Sequence, residues 1–550
     1  MTQRVSIAAA CVAALLAAAG PAAQPTDPVV YTEARTTPST FHDRGPAYAP
    51  TYLVYADGAV GSEQARQLID ALGMLPHLEE YKARAFVVGP VDGRTYGAAD
   101  LTAFQNLLRT HRSSNLKVIG VGAGATFVND IVASHASAVA GILSYGGAVN
   151  SAATSSIPVP AYVHAADPAV ARLYIAANGA TAKTANEAAY TIYANPRPHE
   201  ELQRVVVSTR RDETLAQAFA TAWQTVFSRN YRLHMTDAES YGQGFDPNDH
   251  PEPWELEPYV MFDELGVRYE AVTEDLPGQG LSLRYEYVPR KALAAAPRSV
   301  PLVIMLHGNN NDPRIQGESS GWVEVAARET ILLTSIEWQG RKAGDTTFAA
   351  IGEAGTMAIL DRLLVKYPQI DPSRVYFTGL SAGAMNSFLY GANNARRIAA
   401  VAGHSAPFGP PALLEAATRA SDAGMRLPMY AIAGTKDMYK PLPVNDTPRS
   451  FYTVIRAFAR LNGIAVPDAP DLAANPLFGL PLGGPGWTDL AGRRAFVGTL
   501  ARDGEVRIRL VALDPYAHWN FKPAAADMWA FLSRFRRDPA TGALVTSPAR

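Results

Sequence analysis

The chain has 550 residues, 48% apolar and 18% charged, with 49 basic against 51 acidic side chains and a formal net charge of −2. That length exceeds one ordinary core and sets two domains as the expectation. The near-neutral balance supplies no basic field for nucleic acid and no charged tail, which leaves a small molecule or neutral polymer as the partner class.

In chain order, Met1-Thr2-Gln3-Arg4 carries one positive charge, Ile7 to Ala19 is a run rich in Ala and Leu, and Gly20-Pro21-Ala22-Ala23-Gln24 offers small residues for cleavage after Ala22 or Ala23. The run is short for a permanent bilayer span. Residues 1–23 therefore read as a signal peptide, and the protein as secreted or periplasmic with no stable membrane anchor. The single cysteine, Cys11, lies in that segment, so the expected mature chain has no disulfide, cysteine nucleophile or thiolate metal site. Residues 24–48, rich in Pro, Thr and charged groups, read as a mobile lead-in.

Strand and helix signals alternate over 49–239, which predicts a parallel sheet covered by helices. Residues 240–260 contain Gly242, Gly244, Pro247, Pro251, Pro253 and Pro258 among many acidic side chains and read as a linker. A second alternating region, 261–540, opens with an expected hairpin, Val267–Thr273 and Leu281–Val288 around Leu276-Pro277-Gly278-Gln279-Gly280. Three segments recur in the same order. Tyr52 to Gly58, ending in Asp57-Gly58, compares with Val303 to Gly308, ending in His307-Gly308. Val118 to Gly124 compares with Val375 to Gly383, and Ile157 to Ala165 with Leu427 to Ala433. The pattern predicts a duplicated unit.

The chemistry-bearing segment is Gly379-Leu380-Ser381-Ala382-Gly383, between the apolar run Val375 to Thr378 and a helix-like run from Ala384. A serine on a sharp strand-to-helix turn is lifted out of the sheet, and the flanking glycines remove Cβ atoms that would clash there. Serine needs a base and an orienting carboxylate, and in this type of sheet they follow it in the order acid, then histidine. Asp437 follows the short strand Met429 to Ala433, and His518 follows Val506 to Leu513, just before the last helix-like run. Asp446 and Asp514 are the alternative orienters.

The Ala382 N–H supplies one oxyanion donor, and the Asn309 N–H, with Gly308 as alternative, the other. His307 and His404 read as loop-bracing residues, and Trp338 and Trp519 as candidate substrate-binding walls. No metal or other cofactor is expected, and no feature sets an oligomeric state. In the first copy Gly122 stands at the serine's place, so that copy cannot perform serine chemistry. The run Gly120-x-Gly122-x-Gly124 lacks the third glycine at the dinucleotide-fingerprint spacing and any Gly-Lys-Ser/Thr, which disfavours a nucleotide loop.

The stretch Tyr367 to Met385, the Leu306-His307-Gly308 strand end and the terminal Met528-Trp529-Ala530-Phe531-Leu532 resemble polyhydroxybutyrate depolymerase-like esterases, a group that includes feruloyl and acetylxylan esterases. The resemblance spans about residues 265–536. It implies an α/β-hydrolase fold with Ser381, Asp437 and His518 as triad and an ester or polyester substrate. Together with the repeat it predicts two tandem α/β-hydrolase-like domains with mostly parallel sheets, the first degenerate. Two rival readings remain: a prolyl-oligopeptidase-type peptidase, whose β-propeller blade repeats residues 49–239 lack, and a non-catalytic binding protein with the hydrolase fold.

Overall fold

The computed structural model describes residues 29–31, 50–81, 83–111, 115–150, 152–232, 255–343 and 345–547. The expected signal peptide and most of the expected linker lie outside the described residues. The first sheet is built from β1 (Val29–Tyr31), β2 (Thr51–Tyr55), β3 (Arg84–Val88), β4 (Leu116–Val121), β5 (Val139–Tyr145), β6 (Ala161–His164), β7 (Ala182–Asn186), β8 (Tyr190–Ala194) and β9 (Arg204–Ser208). Its order is β1-β3-β2-β4-β5-β6-β9-β8-β7. The six strands from β3 to β9 run parallel, while β1 and the β7–β8 pair form antiparallel edges. The edge strand β1 falls within the lead-in that was expected to be mobile. Three residues are too few to show a two-residue period, so that strand left no signal in the sequence.

Between the halves, β10 (Asn230–Tyr231) pairs antiparallel with β11 (Glu257–Pro258). The end of the expected linker is therefore paired structure. The second sheet comprises β12 (Val267–Leu276), β13 (Gly280–Pro289), β14 (Val300–Leu306) and β15 (Leu332–Ile336), then, after a small ribbon of β16 (Arg341–Ala343) and β17 (Thr346–Phe348), β18 (Ile370–Gly379), β19 (Ala400–His404), β20 (Met429–Gly434), β21 (Gly483–Leu490), β22 (Arg493–Arg502) and β23 (Glu505–Leu513). Its order is β12-β13-β15-β14-β18-β19-β20-β23-β22-β21. The expected hairpin is present as β12–β13, paired from Val267↔Pro289 to Leu276↔Gly280.

Without β12, the two sheets match strand for strand. Each has an antiparallel edge, a swapped pair, four further parallel strands and an antiparallel hairpin. Their central parallel strands are almost continuously apolar, as strands covered by helices on both faces are. In β14, Leu302, Ile304 and Leu306 enter one apolar layer while Val303 and Met305 enter the other. In β2, Leu53 and Tyr55 face one layer and Tyr52 and Val54 the opposite one. The first half is thus an α/β sheet, not a propeller, which removes the observation on which a prolyl-oligopeptidase reading would rest. Among the described residues no helix is long and apolar enough to cross a membrane.

Tyr231, Tyr259 and Ile315 form a small apolar cluster between the halves. Beside it the buried Glu257 carboxyl oxygen accepts the Tyr231 hydroxyl at 2.5 Å. Burial pushes the Glu257 carboxyl up to about 8, against the opposing pull of Lys522 and the tyrosine. The folded protein then keeps this proton over a range where the unfolded chain has lost it, so stability falls as pH rises from about 4.5 to about 8. Glu257→Gln should remove that slope and melt higher than wild type above pH 8. Melting curves across the range test this, and a lower melting temperature for the variant at high pH would show an ionised, well-paired Glu257 instead.

Candidate active site

A tight local constraint in the second sheet is the turn from β18 into the helix Ala382–Asn393. Ser381 caps that helix at φ 55°, ψ −119°, a region that side-chain-bearing residues rarely enter and that costs about 1–3 kcal/mol. The turn persists because its neighbours leave no alternative. A Cβ on Gly383 would lie 2.0 Å from the Leu306 carbonyl oxygen, and one on Gly379 would lie 2.6 Å from it. The helix start is therefore pressed onto the end of β14, and the serine side chain is turned outward, half-buried.

The expected acid and base residues stand after the ends of two further strands. Asp437 follows β20 and His518 follows β23, which pair in parallel from Met429↔Ile508 to Gly434↔Leu513. Their loops are tied together by Thr435 N–H to Leu513 O and Lys436 N–H to Tyr516 O, both 2.9 Å. The His518 Nδ1–H donates to Asp437 Oδ2 at 2.7 Å, and Tyr439 N–H donates to the other oxygen, Oδ1, at 2.9 Å. Both side chains are buried, with Asp437 and His518 each only 3% exposed. The alternative orienters are placed elsewhere. Asp514 accepts Thr435 Oγ1 at 2.6 Å and Arg494 at 3.2 Å, and Asp446 lies exposed further along the loop.

His404, at the end of β19, joins the serine turn to the base loop. Its carbonyl accepts Ser381 N–H at 2.9 Å, and its Nε2 accepts Phe521 N–H at 3.4 Å. Burial first, and the nearby His518 second, hold its imidazole down at about 3, so it stays neutral. It braces the loops, as expected from sequence.

The loop after β14 completes the site. Gly308 sits directly against Ser381, since a Cβ there would lie 3.6 Å from Ser381 Cβ. Among the described residues, neither Ala382 N–H nor Asn309 N–H donates to a protein acceptor. Trp338 donates its Nε1–H to the His307 carbonyl at 2.9 Å, and Trp519 packs into the Tyr231–Tyr259–Ile315 cluster. Both indoles are only partly exposed and committed to protein contacts. Beside His518 the half-exposed Tyr439 ring, 51% exposed, stands edge-on with centroids 4.6 Å apart. Sequence reasoning missed it because no period or motif marks an exposed loop tyrosine.

A strained serine turn at the top of a parallel sheet, with acid and histidine following in that chain order, decides the architecture. The second sheet is an α/β-hydrolase fold.

The first sheet is its degenerate α/β-hydrolase-like counterpart. Gly122 caps its helix at φ 56°, ψ −118°, within a degree of Ser381 in each angle, and its N–H meets the Tyr145 carbonyl at the same 2.9 Å. One expected match shifts by a residue. Tyr55 pairs with Gly120 as Leu306 pairs with Gly379, so Asp57 stands at the place of Gly308, not of His307. Its Oδ1 accepts Ala123 N–H at 2.6 Å and lies 1.9 Å from where a Cβ on Gly122 would be. The two halves are reciprocal: Gly308 leaves room for Ser381, and Gly122 leaves room for Asp57. An anionic oxygen seated on the N–H that corresponds to Ala382 illustrates what that donor accommodates.

No family model matches the chain. Over 147 residues it is 31% identical to a bifunctional acetylxylan esterase/xylanase of Neocallimastix patriciarum, a match covering 26% of this chain and 20% of the relative. The chain thus spans about a fifth of that relative's length. Among solved structures it is similar to an acetyl xylan esterase from Aspergillus awamori, with 14% identity, 48% of this chain and 99% of that one covered, and a TM-score of 0.33. It is also similar to an S-formylglutathione hydrolase from Agrobacterium tumefaciens, with 13% identity, 49% and 95% covered, and a TM-score of 0.34.

Proposed function

We propose that the chain is a serine hydrolase of carboxylic esters, acting through an acyl-enzyme on Ser381. The observation that carries this reading is the buried Asp437–His518 pair, joined through His404 and the Phe521 backbone to a serine turn of the hydrolase type. His518 takes the serine proton as Oγ attacks the ester carbonyl, and Asp437 holds the imidazole tautomer and stabilises its charged form. The Ala382 and Asn309 N–H groups receive the oxyanion. His518 then protonates the departing alkoxide, and in the second half-reaction it activates water against the acyl-serine.

The substrate class is an acetyl or hydroxycinnamoyl ester, or a polyester of the hydroxyalkanoate type. The acetylxylan esterase relative favours acetyl esters on a neutral polysaccharide, and the open Tyr439 ring suits a flat group above the base. The catalytic domain is 261–540 and the degenerate one 49–239, exported by residues 1–23. Initial rates on p-nitrophenyl acetate, acetylated xylan, methyl ferulate and polyhydroxybutyrate film, with a peptide anilide as control, test the reading. Cleavage of the anilide in preference to every ester would overturn it. If Tyr439 is the aromatic wall, Tyr439→Ala should raise KM for methyl ferulate roughly 3- to 10-fold, the cost of about one ring contact. The rate on p-nitrophenyl acetate should change far less.

A further inference from the structure

Beneath the oxyanion loop lies a buried ionic network that the two-step mechanism does not use. His307 and Glu337 follow the paired ends of β14 and β15, Leu306↔Ile336, and their side chains meet with Nε2 3.1 Å from Oε1. Both are almost fully buried. Arg341 closes the network on Glu337 Oε2, on Asp312 Oδ2 at 2.6 Å and on the Asn311 carbonyl. Burial alone would raise the Glu337 carboxyl, but His307 and Arg341 together hold it down at about 2, so it is ionised and accepts.

The other imidazole nitrogen faces the loop backbone. His307 Nδ1 lies 2.7 Å from the Gly308 carbonyl oxygen, which can only accept. The ring is thus held between two acceptors, the Glu337 carboxylate at Nε2 and the Gly308 carbonyl at Nδ1. The Gly308–Asn309 peptide is trans, so its C=O and N–H point in opposite directions. Turning the carbonyl inward onto His307 turns the Asn309 N–H outward, on the side where Gly308 abuts Ser381.

We propose that His307, paired with Glu337, is a positioning residue for the oxyanion hole: it pins the Gly308 carbonyl, aims the Asn309 N–H at the acyl oxygen on Ser381, and strengthens that donor by polarising its peptide. Hydrogen bonds in series reinforce one another in this way, most of all in a buried setting. The inference rests on the serine-hydrolase reading above. Asn311 N–H also reaches the Gly308 carbonyl, at 3.0 Å, so part of the orientation survives without the imidazole.

The test pairs His307→Leu with the milder Glu337→Gln, each checked for folding by thermal melting. Loss of a whole oxyanion donor lowers kcat by roughly 10²–10³-fold. His307→Leu should fall short of that, by about 10- to 100-fold, with KM little changed, and Glu337→Gln by less. A phenylboronic acid, which forms a tetrahedral adduct on serine, should lose affinity in step with kcat. Acetate or benzoate, planar product acids, should bind as before. His307→Gln, whose amide can still donate to the carbonyl, should recover part of the rate. Folded variants with unchanged kcat, or equal weakening of boronate and carboxylate, would overturn the proposal. Hydrolysis surviving in Ser381→Ala would instead overturn the hydrolase reading beneath it.

Discussion

Ser381→Ala should lower kcat on an activated ester by roughly 10⁴- to 10⁶-fold, the range seen when a triad nucleophile is removed. The size follows from the geometry. The β18 turn aims the Ser381 side chain out of the sheet, while Asp437 and His518 are locked by loops from β20 and β23. His518→Ala should cost a similar amount, and the double variant scarcely more, because the residues act as one unit. Removing the methylene-borne oxygen leaves φ and ψ unstrained by any new atom, so the melting temperature should not fall. A variant that keeps more than about a hundredth of wild-type turnover, measured after removal of contaminating esterase, would place the chemistry on another residue.

The second large effect is structural. Gly383→Ala puts a methyl group 2.0 Å from the Leu306 carbonyl oxygen and 2.5 Å from that of His307. Both are backbone atoms held in β14 and its loop, so neither can rotate aside, and the helix must lift off the sheet. The expected loss is about 4 kcal/mol or more, at the severe end of single substitutions. Activity should vanish with it, because the Ser381 turn and the His307–Asn309 loop share this contact. Gly486→Ala is the control, since a Cβ there meets nothing within 4 Å. Equal melting temperatures for the two variants would show that the close approach is relieved at little cost.

Much of this organisation was readable from residues alone where the physics is local. A glycine-bracketed serine, a strand ending three residues before Asp437 and a histidine just ahead of the last helix each leave a short-range trace. What escaped depends on strand order. His307 and Glu337 are thirty residues apart in the chain yet adjacent in space, because β15 returns on the outer side of β14 and leaves the inner side to β18. No periodicity encodes that swap. The one-residue offset at Asp57 has a different origin: strand ends are soft in sequence, and a shift of one residue exchanges which face a side chain serves. Only the ladder Tyr55↔Gly120 against Leu306↔Gly379 fixes it.

The Asp57–Gly122 arrangement has a quantitative consequence for anyone weighing out this protein. A chain with two turns of one shape suggests two equivalents of acyl group per molecule, but the first turn has no oxygen to acylate, and its carboxylate fills the space where one would project. A pre-steady-state burst should therefore saturate at one equivalent per polypeptide. Its amplitude then counts competent molecules directly, and any shortfall measures the inactive fraction of a preparation rather than a difference between two sites.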